Sequence, residues 1–109
     1  MSYNVETSVN FGRELKKLSK KYRSIKEEIA QLGQDLENNP IQGTPIGKHC
    51  YKIRLSIQSK GQGKSGGGRI IICVVAVKET VVLLSIYDKA DKADISDAML
   101  RKLLEENSL

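Results

Sequence analysis

At 109 residues the chain has room for one domain, spanning 1–109, that buries roughly two-thirds of its unfolded surface, and a second core does not fit. Eighteen Lys and Arg against 13 Asp and Glu leave a formal charge of +5. That balance favours a nucleic acid, an acidic protein or an anionic membrane as partner and does not by itself choose among them. Two cysteines without Cys-x-x-Cys spacing, beside a single histidine, support neither a disulfide scaffold nor a zinc site, so no metal is expected and both thiols read as reduced strand residues. No window approaches the ~18 apolar residues of a membrane span. Met1-Ser2-Tyr3-Asn4 lacks the charged and apolar regions of a signal peptide, so a cytoplasmic location is expected.

Residues 3–6 read as a short strand, followed by the cap-type pair Thr7 and Ser8. Phe11, Leu15, Leu18 and Tyr22 then recur at helical spacing, while Arg13, Lys16, Lys17, Lys20 and Lys21 fill the other positions. Those cations read first as a solvated face and second as an RNA contact. Ser24-Ile25-Lys26-Glu27 fits a capping box and opens a second helix with Ile25, Ile29, Leu32 and Leu36 on one stripe. Asn38-Asn39-Pro40 ends it, because the residue before proline is pushed out of the helical region. The resulting helical hairpin must lay its stripes on a sheet. Residues 41–48, with Gly43, Pro45 and Gly47, read as a loop, and the lone His49 reads as a bystander at a strand edge before it reads as a general base.

The chemistry is concentrated between Tyr51 and Lys89. Alternation puts Tyr51, Ile53, Leu55 and Ile57 on one face of a strand and Lys52, Arg54, Ser56 and Gln58 on the other. Between residues 38 and 78 there is no Asp or Glu, whereas Lys48, Lys52, Arg54, Lys60, Lys64, Arg69 and Lys78 all fall there. A surface of one sign repels itself, which directs attention to a polyanion. Gly61-Gln62-Gly63-Lys64-Ser65-Gly66 matches a dinucleotide-binding glycine motif by letter, but it leads into the β-branched run from Arg69 instead of a helix, so nucleotide binding is not expected. It reads as a flexible hairpin connection whose lysines can close over a phosphate chain. A tight turn at Lys78-Glu79-Thr80 joins that run to a third strand over residues 81–87, giving an antiparallel meander. On the last strand Ser85, Tyr87 and Lys89 share a face and, if register permits, join Lys52, Arg54 and Arg69. Asp94 or Ser96 caps a final helix carrying Ile95, Met99, Leu100, Leu103 and Leu104.

This order of elements resembles the RelE/ParE superfamily of bacterial toxins. Cys50-Tyr51-Lys52-Ile53-Arg54-Leu55 is similar to the basic strand of RelE, and the segment from Lys60 to Ile71 resembles the lysine-glycine loop and Arg-led strand of the HigB-like branch. Leu84-Ser85-Ile86-Tyr87-Asp88-Lys89 resembles that branch's ending. The resemblance implies an α+β RelE-like fold: an N-terminal strand and helical hairpin on an antiparallel sheet of about four strands, with a C-terminal helix. It implies a metal-independent, cofactor-free endoribonuclease that cuts messenger RNA in the ribosomal A site and is held in a hetero-oligomer by a cognate antitoxin. By the same resemblance Lys52, Arg54, Arg69, Tyr87 and Lys89 are the catalytic positions, with Lys48, Lys60 and Lys64 as RNA-binding residues. Ile95 stands where RelE carries a tyrosine.

The residues support such chemistry on their own terms. Attack by a 2′-hydroxyl needs a base, an acid for the leaving oxygen and cations on the phosphorane. Lys52 among arginines suits the base, Arg54 and Arg69 the phosphate, Lys89 the acid, and Tyr87 a stacked base or a proton relay. On this reading Arg69→Ala abolishes cleavage and leaves the fold intact. The alternatives are the ParE branch, in which the same fold inhibits DNA gyrase, and an RNA-binding module without activity. The scarcity of aromatics, one Phe and four Tyr, argues against a stacking platform.

Overall fold

The computed structural model describes residues 2–61 and 63–109, apart from the side chains of Lys64 and Ser65. Among the described residues the elements are β1 (Asn4–Thr7), α1 (Val9–Lys21), α2 (Ile25–Asn38), β2 (Thr44–Gly47), β3 (Cys50–Leu55), the one-turn helix α3 (Gly63–Gly66), β4 (Gly68–Val75), β5 (Thr80–Asp88) and α4 (Asp97–Glu106). Short 3-10 turns at Gln58–Lys60 and Ala76–Lys78 precede α3 and β5. The sheet order is β1-β5-β4-β3-β2. The α+β class, hairpin, three-strand meander and last helix are as the sequence predicts.

The sheet departs from the expected four antiparallel strands in two ways. The segment read as a loop contributes β2, antiparallel to β3 with Thr44 opposite Lys52 and Pro45 opposite Tyr51. Pro45 is tolerated because β2 is an edge strand, where a missing N–H breaks no interior ladder. Gly43 makes the approach possible: at φ +91° its place for a β-carbon lies 2.3 Å from the Lys52 carbonyl oxygen. At the other edge, β1 pairs parallel to β5, Asn4 opposite Thr80.

The central strands are apolar almost throughout because both of their faces are covered. Ile53, Leu55, Ile57, Ile70, Ile72, Val81, Leu83 and Ile86 pack under the hairpin stripe of Phe11, Tyr22, Ile25, Ile29, Leu32 and Leu36. Ile71, Cys73, Leu84 and Tyr87 pack on the opposite side against Leu100, Leu103 and Leu104 of α4. A β-bulge changes the register between Ile71 and Ile72: Ile71 faces Ser85 while Ile72 faces Leu83, leaving Leu84 as the extra residue. Strand parity is thereby inverted, so that Leu84 and Tyr87, three apart, share the α4 face.

Beyond the end of β1 the edge of β5 is protected by α1. Ser8 Oγ and Asn10 Nδ2 donate to the Leu84 carbonyl at 3.1 and 3.0 Å, and Glu14 Oε1 accepts from Ile86 N at 3.1 Å and from the Ser85 hydroxyl at 2.8 Å. Ser85 is therefore turned to Glu14 and does not join the cationic face. Ser8 also caps α1, accepting from Phe11 N at 3.0 Å, and Ser96, not Asp94, caps α4 through Met99 N at 3.1 Å.

The capping box at Ser24 is not formed. Ser24 makes no side-chain cap bond; its hydroxyl accepts from Ser59 N at 3.0 Å. Glu28 Oε2 accepts from Gln58 N at 2.8 Å, so the start of α2 holds the segment leaving β3. The connection that follows carries a 3-10 turn at Gln58–Lys60 and the one-turn helix α3. Gly67 shows why glycine is needed: a β-carbon there lies 2.1 Å from the Leu55 carbonyl oxygen.

A cationic row as candidate functional site

Pairing across β3, β4 and β5 sets Arg54 opposite Arg69 and Arg69 opposite Tyr87. At the usual strand spacing of about 4.8 Å the three residues form a row roughly 10 Å long. Lys52, two positions along β3, faces the same side opposite Ile71. Like charges on facing strands repel, so the Arg54–Arg69 pairing costs stability unless something anionic offsets it.

The members differ in exposure. Arg54 is exposed, whereas Arg69 is only 3% exposed and donates from Nη1 to the Gly68 carbonyl at 2.9 Å. The burial bears on the expectation that Arg69→Ala leaves the fold intact, because truncation would open a void beside a buried strand and cost stability. Tyr87 is buried and its hydroxyl makes no hydrogen bond to any described residue. Buried polar groups are usually satisfied, which marks this hydroxyl as available to a ligand. Burial, with the Asp94 carboxylate adding to it against the opposing effect of Arg69, pushes the phenol above its ordinary value. Tyr87 is thus a protonated donor at neutral pH.

The segment after β5 completes the site with two residues that sequence reasoning did not assign to it. Lys92 Nζ lies 4.8 Å from the centroid of the Tyr87 ring, a cation–π contact. Asp94 Oδ1 accepts from Lys52 Nζ at 3.2 Å. The Ile95 N–H first and Lys52 second hold the Asp94 carboxyl below its usual range, with Lys89 contributing through space. Lys89 follows β5 directly, its N–H donating to the Gly67 carbonyl at 3.0 Å. Only a local clue was present: Asp94 reads as a cap, and the cap is Ser96. Ile95 is half-buried against the α4-side core.

Two of the expected RNA-binding lysines, Lys60 and Lys48, are placed away from this row. The Lys60 side chain is 9% exposed and its Nζ is bonded to Asp88, whose other oxygen accepts from the Tyr22 hydroxyl at 2.5 Å. Burial raises the Asp88 pKa, but the bonds from Lys60, Tyr22 and the Ala90 N–H outweigh it and bring it down to about 2. Lys60 is therefore a structural cation. Lys48 and His49 form the two-residue turn between β2 and β3, at φ 55° and 62°. They lie six and five residues from Arg54, roughly 16 Å or more along the strand, so His49 is remote from the row. The Lys64 side chain lies outside the described residues. Among the described residues no group of three or more His, Cys, Asp or Glu is placed to hold a metal.

A helical hairpin on one face of a five-stranded mixed sheet, and on the other a basic row ending at a buried tyrosine beside the last helix, define a RelE-like toxin fold. The chain belongs to the RelE family: the model described as "RelE toxin of RelE / RelB toxin-antitoxin system" matches residues 9–107. Its fold is similar to that of free Escherichia coli toxin RelE, solved as a double arginine-to-alanine mutant, with a TM-score of 0.65 at 22% identity over 93% of this chain and 98% of that one. The RelBE2 toxin–antitoxin complex of Mycobacterium tuberculosis gives 0.61 at 20% identity, covering 81% of this chain and 99% of the other. The E. coli RelE mutant bound to an antitoxin RelB peptide gives 0.53 at 18% identity, covering 94% of each chain. The protein is a toxin of this family, and among its described residues no helix is long and apolar enough to cross a membrane.

Proposed function

We propose that this toxin is a metal-independent endoribonuclease of the RelE and HigB-like type, cutting messenger RNA in the ribosomal A site in the cytoplasm. The observation that carries the reading is the alignment of Arg54, Arg69 and Tyr87 across three strands. The 2′-oxygen attacks the adjacent phosphorus, the bond from phosphorus to the 5′-oxygen breaks, and the proton lost by the first oxygen is replaced on the second. The products are a 2′,3′-cyclic phosphate and a 5′-hydroxyl. Arg54, exposed and permanently charged, contacts the phosphate. Arg69 stands behind it as a fixed positive charge in a dry setting, where charge stabilisation of the phosphorane is strongest. Tyr87 donates a hydrogen bond. Lys89 protonates the leaving oxygen, and Lys52, once Asp94 has moved off it and its ammonium has given a proton to solvent, takes the proton of the 2′-hydroxyl as the neutral amine.

The partner that restrains the toxin is a cognate antitoxin, in a hetero-oligomer, whose acidic segment covers the cationic face or displaces α4. Toxin–antitoxin complexes among structures of this fold support that reading. If charge dominates, raising the salt concentration weakens the complex.

The test is primer extension on a defined message, with and without ribosomes, comparing wild type with Arg54→Ala and Tyr87→Phe. Cuts are expected only on translated message and fall roughly 100-fold or more in Arg54→Ala, the usual loss for one charge-stabilising donor. Full activity in both variants overturns the site assignment. A folded wild type that makes no cuts overturns the nuclease reading and sends the protein to a DNA supercoiling assay, which tests gyrase inhibition.

A further inference from the structure

Cys50 and Cys73 face each other directly across β3 and β4. The neighbouring bond from Val74 N to the His49 carbonyl, at 2.9 Å, makes residues 49 and 74 a hydrogen-bonded pair. The next pair along, Cys50 with Cys73, is therefore a non-hydrogen-bonded one, whose α-carbons stand about 4.5 Å apart with side chains close. That separation lies within the range a disulfide spans. Both thiols are free and lie on the α4 face, 1% and 4% exposed, and the Cys50 thiol donates to the Lys48 carbonyl at 3.4 Å. Cys73 lines an open groove of about 600 Å³ that also presents Lys48, His49, Lys78 and Leu104.

We propose that Cys50 and Cys73 are a reversible redox pair, oxidised to a cross-strand disulfide by a peroxide that enters through this groove. Cys73 is the attacking sulfur: it and not Cys50 lines the groove, the Cys50 thiol is engaged with the Lys48 carbonyl, and the closeness of the two sulfurs holds the Cys73 thiol below its ordinary pKa and the Cys50 thiol above. The Cys73 thiolate attacks one oxygen of hydrogen peroxide, the O–O bond breaks, and the departing hydroxide takes a proton to leave as water. This gives a sulfenic acid on Cys73. The Cys50 sulfur then attacks the Cys73 sulfur, the S–S bond forms, the S–O bond breaks, and a second water carries away the thiol proton. Two thiols are oxidised by two electrons and one peroxide is reduced to two waters. The bond closes a loop holding Lys52, Arg54, the glycine segment and Arg69, and it restricts the unfolded chain without crossing the cationic row.

The test exposes the intact protein to hydrogen peroxide and follows its mass, its thiol content after denaturation, and its melting temperature. The expected result is a monomer lighter by two hydrogens, with no titratable thiol, a linked peptide pair containing Cys50 and Cys73, and a higher melting temperature. Dithiothreitol restores every value. Cys73→Ala is expected to leave the Cys50 thiol free at the same dose; this variant supports the assignment of roles, while the wild-type mass carries the proposal even if the variant does not fold. Two unchanged thiols, sulfinic acid on either cysteine, or a disulfide-linked dimer in place of the internal bond overturns it.

Discussion

Asp94 occupies a hydrogen-bonding position on Lys52 that, on the nuclease reading, an RNA phosphate or ribose would need. The pair is exposed, with the Asp94 side chain 63% accessible, so it stabilises the fold by less than about 1 kcal/mol. Asp94→Asn is expected to melt within a degree or so of wild type and to bind a short single-stranded RNA roughly 2- to 5-fold more tightly, as read by fluorescence anisotropy. Unchanged or weaker binding removes Lys52 from the anion site. At the far end of β3, Lys48 and His49 sit in the left-handed region, which costs a side-chain-bearing residue about 1 kcal/mol. The double variant Lys48→Asn, His49→Gly is expected to gain roughly 1 kcal/mol in urea denaturation with message cleavage unchanged. A large loss of cleavage would restore Lys48 to the RNA-binding set. At this scale the sequence was readable where partners are local: the alternation from Tyr51 to Ile57 assigns each side chain its face, and Ser96 caps three residues ahead of Met99. It was not readable for Lys60, because its carboxylate, Asp88, lies 28 residues away and no spacing announces the pair.

Asp88 also decides how the elements hold together. Its carboxylate joins the end of β5 to the turn before α3 through Lys60 and to the end of α1 through Tyr22, with Lys21 Nζ at 3.9 Å. The folded pKa of about 2 lies below the unfolded value, so the stabilisation is present above roughly pH 4 and is lost as pH falls toward 2. A depression of this size corresponds to about 2 kcal/mol. Urea denaturation across pH 5 to 2 should show wild type losing about that much more than Asp88→Asn. The variant should be less stable at pH 7 by roughly 3 kcal/mol, because it leaves the Lys60 ammonium buried without its counter-charge. Equal acid limbs in the two proteins would remove Asp88 as the tie. Element types were legible from periodicity, including both hairpin helices and the meander. Pairing was less so: β2 lies in a Gly- and Pro-rich stretch that reads as loop, β1 pairs with a strand far along the chain, and the bulge at Leu84 leaves no mark on an apolar run. Yet that bulge is what places Tyr87 beside Arg69.

The whole molecule carries positive charge on both sides of its sheet. The row occupies the α4 side, while Lys16, Lys17 and Lys20 project from α1 on the other side and are exposed. A solvated helix face accounts for those lysines structurally, but a protein that enters a cleft between RNA surfaces gains from charge on both of its flanks. If the A-site reading holds, Lys16→Gln, Lys17→Gln, Lys20→Gln is expected to keep the melting temperature, since none of these side chains is buried, and to leave the single-turnover cleavage rate at saturating ribosomes unchanged. Its apparent affinity for ribosomes should fall. The slope of log affinity against log salt should flatten by roughly 2, three lysines at about 0.7 counterions each. A flattened slope with an intact cleavage rate separates association from chemistry and assigns the two faces different work. An unchanged slope leaves α1 as an outer face alone, with the row on β3, β4 and β5 meeting the RNA by itself.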